Sequence, residues 1–184
     1  TVNPLTTASL QALISTGAII NLAAADDSAL QNMVNAINGL TAPPTPVDIT
    51  IVLGAGPYNG VTLNPPANVV VALAGNSLPD APGTQITSTT GSAVTVNGGE
   101  VFVQGIDLST SADAPTVELV TGHLTIRQGK VQESTTADNV ALAVSGGNLD
   151  YSYDVVTNVN GAGRFWTTYD PEGVRLPDGI DDFL

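Results

Sequence analysis

The sequence predicts an all-β chain, a right-handed parallel β-helix of about six coils of roughly 22–25 residues with an N-terminal α-helical cap. Three observations predict it. Short stretches alternate apolar and polar residues, those stretches return at a near-constant spacing, and glycines return in step with them. "VTVNGGEVFV", from Val94 to Val103, is followed by "VELVTGHLTI" and then by "LAVSGGNLDY". A unit that repeats at this length cannot bury its own apolar face and must stack on its copies.

The elements follow in chain order. Residues 1–46 read as a helical cap and a Pro-rich linker. In "TTASLQALISTG", Thr7 is the expected N-cap, Leu10, Leu13 and Ile14 form an apolar stripe, and Gly17 is the expected stop. "AIINL" reads as a short strand. "DDSALQNMVNAINGL" is the stronger helix, with Asp26 or Asp27 as its cap. Leu30, Met33, Val34, Ile37 and Leu40 fall on one face, and Gly39 ends it. That face is of the right kind to plug the first coil. Pro43, Pro44 and Pro46 then forbid helix.

Residues 47–184 read as the β-helix. Val94 and Val96 match Val117 and Leu119, and then Leu142 and Val144. Gly99, Gly122 and Gly147 keep the same step, as do Val101, Leu124 and Leu149, and Leu108, Val131 and Val156. Earlier, Ile49 and Ile51 precede Val71 and Leu73. Val71, Leu73, Gly75 and Leu78 are matched in turn to Val94, Val96, Gly98 and Val101, and Val174 and Leu176 continue the period beyond Leu149 and Tyr151. Val94 and Val96 are expected to point inward and Thr95 outward, with glycines at the corners where positive φ is needed. Leucine-rich repeats share the period, but leucine is too sparse here for their frame, and left-handed hexapeptide coils are shorter. An open coil end is an unpaired sheet edge. The N-terminal helices answer it at one end, whereas the C-terminal coil is a candidate surface for end-to-end self-association.

Composition narrows the function. Four Lys and Arg stand against 17 Asp and Glu, a formal charge of −13, so almost nothing is present to neutralise phosphates and nucleic acid is excluded as a partner. Cysteine is absent, which removes disulfides and thiol nucleophiles. No apolar run approaches the length of a membrane span, so no membrane insertion is expected. No signal-like segment opens the sequence at Thr1, so an export signal is expected to lie outside it.

Candidate sites are placed by repeat register. Asp107, Lys130 and Val155 share one column, and Arg127 aligns with Gln104 and Ser152. Arg127, Lys130, Asp107 and Asp154 therefore fall on one wall, where weak pairing between coils is the expected role. One acid in that column does not make the carboxylate cluster that a lyase or hydrolase needs. His123, the single histidine, stands where Glu100 and Asn148 stand in neighbouring coils and reads as a surface residue. Arg127, Lys130, Tyr153 and Trp166 are the candidate carbohydrate contacts, and Tyr151 and Tyr169 are further aromatics near them. Asp170, Glu172, Asp178, Asp181 and Asp182 are the candidate metal ligands. Calcium is the cation such oxygen donors would take, although the spacing is not that of an EF-hand loop. No catalytic residue and no other cofactor is assigned.

"PTVELVTGHLTIRQGKVQEST", "ALAVSGGNLDY" and "TNVNGAGRF" together resemble repeat modules of large secreted or cell-surface bacterial proteins, broadly of the pectate-lyase-like right-handed β-helix superfamily. The resemblance spans roughly residues 47–165. His123 and the aromatics of "LDYSYDVV" depart from the small residues of the pattern. The resemblance implies a non-enzymatic, extracellular or surface-exposed structural or adhesive segment of a larger protein, with glycans or other surface proteins as partners. The alternative is a carbohydrate-binding or polysaccharide-active member of the same superfamily. Fold alone does not decide between them.

Overall fold

The computed structural model describes residues 5–15, 19–77, 83–132, 134, 140–152, 155–157 and 166–167. Two helices and fifteen strands are found among them. The helices are α1 (Thr7–Ile14) and α2 (Asp27–Asn38). The strands are β1 (Ile19–Ala24), β2 (Val47–Leu53), β3 (Val61–Leu63), β4 (Val69–Ala74), β5 (Gln85–Ser88), β6 (Val94–Val96), β7 (Glu100–Gln104), β8 (Asp107–Thr110), β9 (Val117–Leu119), β10 (His123–Arg127), β11 (Lys130–Gln132), β12 (Leu142–Val144), β13 (Asn148–Ser152), β14 (Val155–Thr157) and β15 (Trp166–Thr167).

All strand pairings are parallel, and they form three sheets. The first sheet runs β1-β2-β4-β7-β10-β13, the second β14-β11-β8-β5 and the third β15-β12-β9-β6-β3. From β4 onward the chain visits the first, second and third sheets in turn. The architecture is thus mostly β, built of parallel strands in stacked sheets with two short helices at the N-terminal end.

The alternating pattern explains the burial. In most of the strands every second side chain faces the core, as in the buried-exposed alternation of β2 and the buried flanks of Thr95 in β6, whereas β10 buries Leu124, Thr125 and Ile126 in a row. Val61, Val94, Val117 and Leu142 lie in one register line through the third sheet, and all four are buried. Ile49, Val71, Val101, Leu124 and Leu149 form the equivalent line in the first sheet, and Ile86, Leu108, Val131 and Val156 that in the second. The buried apolar side chains of the sheets and of α2 make one continuous core.

One register expectation is corrected. Val71 and Leu73 pair with Val101 and Val103, not with the positions of Val94 and Val96. Thirty residues separate Val71 from Val101, against 22 from Ile49 to Val71, 23 from Val101 to Leu124 and 25 from Leu124 to Leu149. The longer interval contains β5, which has no counterpart strand between β2 and β4 other than β3 of the third sheet, so subtraction by a fixed period slips from one sheet to another there. Leu78, Gly17, Val174 and Leu176 lie outside the described residues.

Corner chemistry follows the glycines. Gly99, Gly122 and Gly147 have φ of +69°, +98° and +89°, a region that L side chains rarely occupy. They also stack closely, because a Cβ on Gly122 would lie 2.6 Å from the carbonyl oxygen of Gly99. At the opposite corner hydroxyls satisfy the turning backbone. Thr110 Oγ1 donates to the Gly91 carbonyl at 2.6 Å, and Thr116 Oγ1 donates to that of Gln132.

The N-terminal section differs in detail from expectation. Thr6, not Thr7, is the N-cap of α1, in a reciprocal box with Ser9. Leu10 and Ile14 are buried, but Leu13 is 48% exposed, so the stripe is narrower than predicted. The strand predicted at "AIINL" forms as β1 and pairs with β2, adding a strand to the first sheet. Helix α2 is capped by Asp26, whose carboxylate accepts from the Ala29 amide at 2.8 Å, and buries Leu30, Val34, Ala36 and Ile37.

The polar side of α2 does a second job. Strand β3 is an edge of the third sheet, and its flanking backbone would otherwise lack partners. Gln31 Nε2 donates to the Gly60 carbonyl, Asn38 Nδ2 donates to that of Thr62 at 2.7 Å, and Asn38 Oδ1 accepts from the Asn64 amide at 2.8 Å. The Asp27 carboxylate accepts from the Asn59 amide at 2.8 Å and from Asn59 Nδ2 at 2.6 Å. Tyr58 is buried beneath, where its hydroxyl accepts from the Gly54 amide and donates to the Ala24 carbonyl, each at 2.9 Å.

Candidate functional site

The outward positions of the first and second sheets hold the residues singled out by register. Arg127 ends β10 opposite Gln104 and Ser152, and Lys130 opens β11 opposite Asp107 and Val155. Only Gln128 and Gly129 separate them, with Gln128 in the left-handed region at φ +57°. The two cations therefore flank the corner between the first and second sheets, and do not stand together on one wall as the repeat register predicts. Asp107 is already engaged, since its Oδ1 accepts from Ser77 Oγ at 2.5 Å. Gln104 Nε2 donates to Gln128 Oε1 across neighbouring windings. Trp166 sits in β15 opposite Ala143, in the third sheet and away from Arg127 in the topology. Tyr153, Asp154, Tyr169, Asp170, Glu172, Asp178, Asp181 and Asp182 lie outside the described residues. Tyr151 takes the register of the buried Ile126 and is itself 44% exposed.

His123 is more engaged than a simple surface residue. It opens β10 in register with Glu100 and Asn148. Its Nε2 is 2.8 Å from Asp150 Oδ2 and its Nδ1 is 4.0 Å from Glu100 Oε1. The carboxylates meet opposite ring nitrogens, so they bracket the imidazole and do not converge with it on one point. Among the described residues no group of three or more His, Asp or Glu is placed to hold a metal ion. No helix among them is long and apolar enough to cross a membrane.

A further concavity lies elsewhere, on the outer face of the third sheet. It is a cleft of about 750 Å3. Its floor is a ladder of outward side chains from adjacent strands, Thr62, Thr95 and Glu118, each in direct register with the next. The connections 88–92 and 113–115, which lead into β6 and β9 at the same edge of the sheet, complete the lining, and the second carries Asp113. Asn59 stands at the rim.

Both connections are pinned by the fold. Ser88 Oγ accepts from the Gly91 amide at 3.2 Å, and Thr110 Oγ1 holds the Gly91 carbonyl. Thr110 Oγ1 also accepts from the Ala112 amide, and Ser134 Oγ donates to the Ala112 carbonyl at 2.5 Å. Asn59 is fixed by Asp27. Burial alone would raise the Asp27 carboxyl, but the bonds from Asn59 and Gln31 outweigh it and hold the group below its ordinary range.

Sequence reading did not find this cleft. Its hydroxyls resemble ordinary turn residues, and its carboxylates sit in a different sheet from the cations that drew attention. The available signal was the outward register itself, since Thr95 and Glu118 are separated by the same 23 residues as Val94 and Val117. Comparison of the chain with models of known protein families, with curated proteins and with solved structures finds no match.

Proposed function

We propose that the chain is a right-handed parallel β-helix module, capped at its N-terminal end by α2, that serves as a structural and adhesive segment of a larger secreted or cell-surface bacterial protein. One observation carries this reading: equivalent apolar positions stay in register from winding to winding in all three sheets. Such stacking spends the sequence on a stiff column in which each winding contacts its neighbours. The strong negative charge keeps the column soluble and repels anionic surfaces. The resemblance to pectate-lyase-like repeat modules supports a location outside the cell, and the reading takes the C-terminal end as the surface for end-to-end association.

The non-enzymatic half is tested by incubating the full chain with neutral and acidic polysaccharides, with and without calcium, and measuring new reducing ends and unsaturated products. No turnover above the blank is expected, and turnover overturns the reading. Light scattering at high protein concentration tests the association, and a monomer removes it.

A further inference from the structure

Three Asn-Gly pairs lie among the described residues, Asn38–Gly39, Asn59–Gly60 and Asn97–Gly98, and Asn160–Gly161 lies outside them. In this dipeptide the second residue's amide nitrogen reaches the asparagine side chain most readily, because glycine puts no Cβ in the way. We infer that Asn97–Gly98 is a self-modification site. The corner between β6 and β7 leaves it free to close a succinimide that opens to aspartate and isoaspartate, while the fold blocks the same chemistry at Asn38 and Asn59. The inference concerns this corner alone and holds whether or not the module is a spacer.

Hydrogen bonding separates the three pairs. Asn38 Nδ2 donates to the Thr62 carbonyl, Asn38 Oδ1 accepts from the Asn64 amide, and the Gly39 amide donates to the Asn35 carbonyl, so both reacting groups are held. Asn59 Nδ2 donates to Asp27 Oδ2 at 2.6 Å and the Asn59 amide donates to Asp27 Oδ1 at 2.8 Å, which fixes that side chain. Asn97 is exposed, and no described residue bonds its side chain or the Gly98 amide. Its own backbone amide alone is anchored, to the Leu63 carbonyl at 2.8 Å. The chain is therefore tethered just before the reacting bond and unheld at it. The equivalent corners do not offer the pair. Leu63, Val96, Leu119 and Val144 share one register line, and the residues after them are Asn64–Pro65, Asn97–Gly98, Val120–Thr121 and Ser145–Gly146. Pro65 has no amide hydrogen to give up, so Asn64 cannot close the ring.

The reaction needs only water. The Gly98 amide gives its proton to solvent base, and its nitrogen bonds to Asn97 Cγ. The bond from Cγ to Nδ2 breaks, and that nitrogen leaves as ammonia with a proton from solvent. The ring then takes up one water. Opening at Cγ leaves aspartate, and opening at the main-chain carbonyl leaves isoaspartate, with the backbone running through the former side chain. One water is consumed, one ammonia is released, and nothing is oxidised or reduced. Isoaspartate adds one methylene to the main chain between β6 and β7. The fold has room for it there, since the same connection one winding earlier, 64–68, is longer than 97–99. Either product adds one negative charge to a chain already at −13.

Peptide mapping by mass spectrometry tests the inference, on the full chain aged in heavy-oxygen water at mildly alkaline pH. Electron-transfer fragmentation tells isoaspartate from aspartate. Label and the amide-to-acid mass change are expected at Asn97 at least about tenfold faster than at Asn38 or Asn59, with isoaspartate among the products. In urea that unfolds the chain the three rates should converge. Gly98→Ala should slow Asn97 by at least about tenfold, and its Cβ meets only the end of the Asn64 side chain, so this variant folds. A folded Asp27→Ala variant should speed Asn59 and leave Asn97 unchanged. Reaction at Asn38 or Asn59 as fast as at Asn97 in the folded chain overturns the inference, as does an Asn97 that the fold slows more than about tenfold relative to urea. Aspartate with no isoaspartate, or an undiminished rate in Gly98→Ala, overturns the ring route. An Asn59 rate indifferent to Asp27→Ala overturns the assignment of its protection to that carboxylate.

Discussion

At the scale of single residues, Asp27 and Gly122 show how much rests on local geometry. Asp27 does not cap its helix, because Asp26 does, and its carboxylate is instead committed to both nitrogens of Asn59. Asp27→Asn should cost about 1 to 2 kcal/mol at neutral pH, measured by urea unfolding. Because the folded state lowers this pKa, the stabilisation is fully present above the unfolded value of 3.8 and is lost as the pH falls through the folded value. The gap between wild type and variant should therefore hold from neutrality down to about pH 4 and shrink below it. Gly122 combines φ +98° with a neighbouring carbonyl that would meet a Cβ at 2.6 Å. Gly122→Ala should cost at least about 2 kcal/mol, read from the same denaturation curves. An unchanged midpoint would mean that the corner relaxes freely.

At the scale of elements, the inward face of each strand carries the stability. Leu119→Ala, in β9, removes a fully buried side chain from the third sheet and should cost about 2 to 5 kcal/mol. Val52→Thr, at a half-exposed outward position of β2, should stay within about 0.5 kcal/mol. Equal effects of the two would contradict the alternation. This alternation was legible in the letters: Val94, Val117 and Leu142 are in register as subtraction predicts, and the corner glycines have the expected positive φ. The failures have physical causes. The winding that contains β5 is longer, so a fixed period mismatched Val71 with Val94. Thr6 took the cap from Thr7 because Ser9, three residues on, completes a reciprocal pair. The cleft was illegible because it depends on which loops flank an outward ladder, and loop geometry leaves no periodic trace. The amide side chains of α2 that cover the edge of β3 were hidden for a similar reason, since Gln31 and Asn38 read as ordinary polar positions of an amphipathic helix.

At the scale of the whole molecule, charge and stacking dominate. A formal charge of −13 on a chain of 184 residues repels itself in the compact state. Raising ionic strength from about 0.01 M to about 0.15 M shortens the range of that repulsion, so the thermal midpoint should rise with sodium chloride, as circular dichroism would record. A midpoint that falls would indicate that attractive pairs outweigh the net field. The uneven windings carry a different consequence. Corners absorb a length change from 22 to 30 residues while the strands keep their register. A gene encoding such a chain can gain or lose one whole winding by unequal recombination and still specify a folded product. Descendants of a common ancestor should then differ in size by steps of one winding, with the helical start left in place.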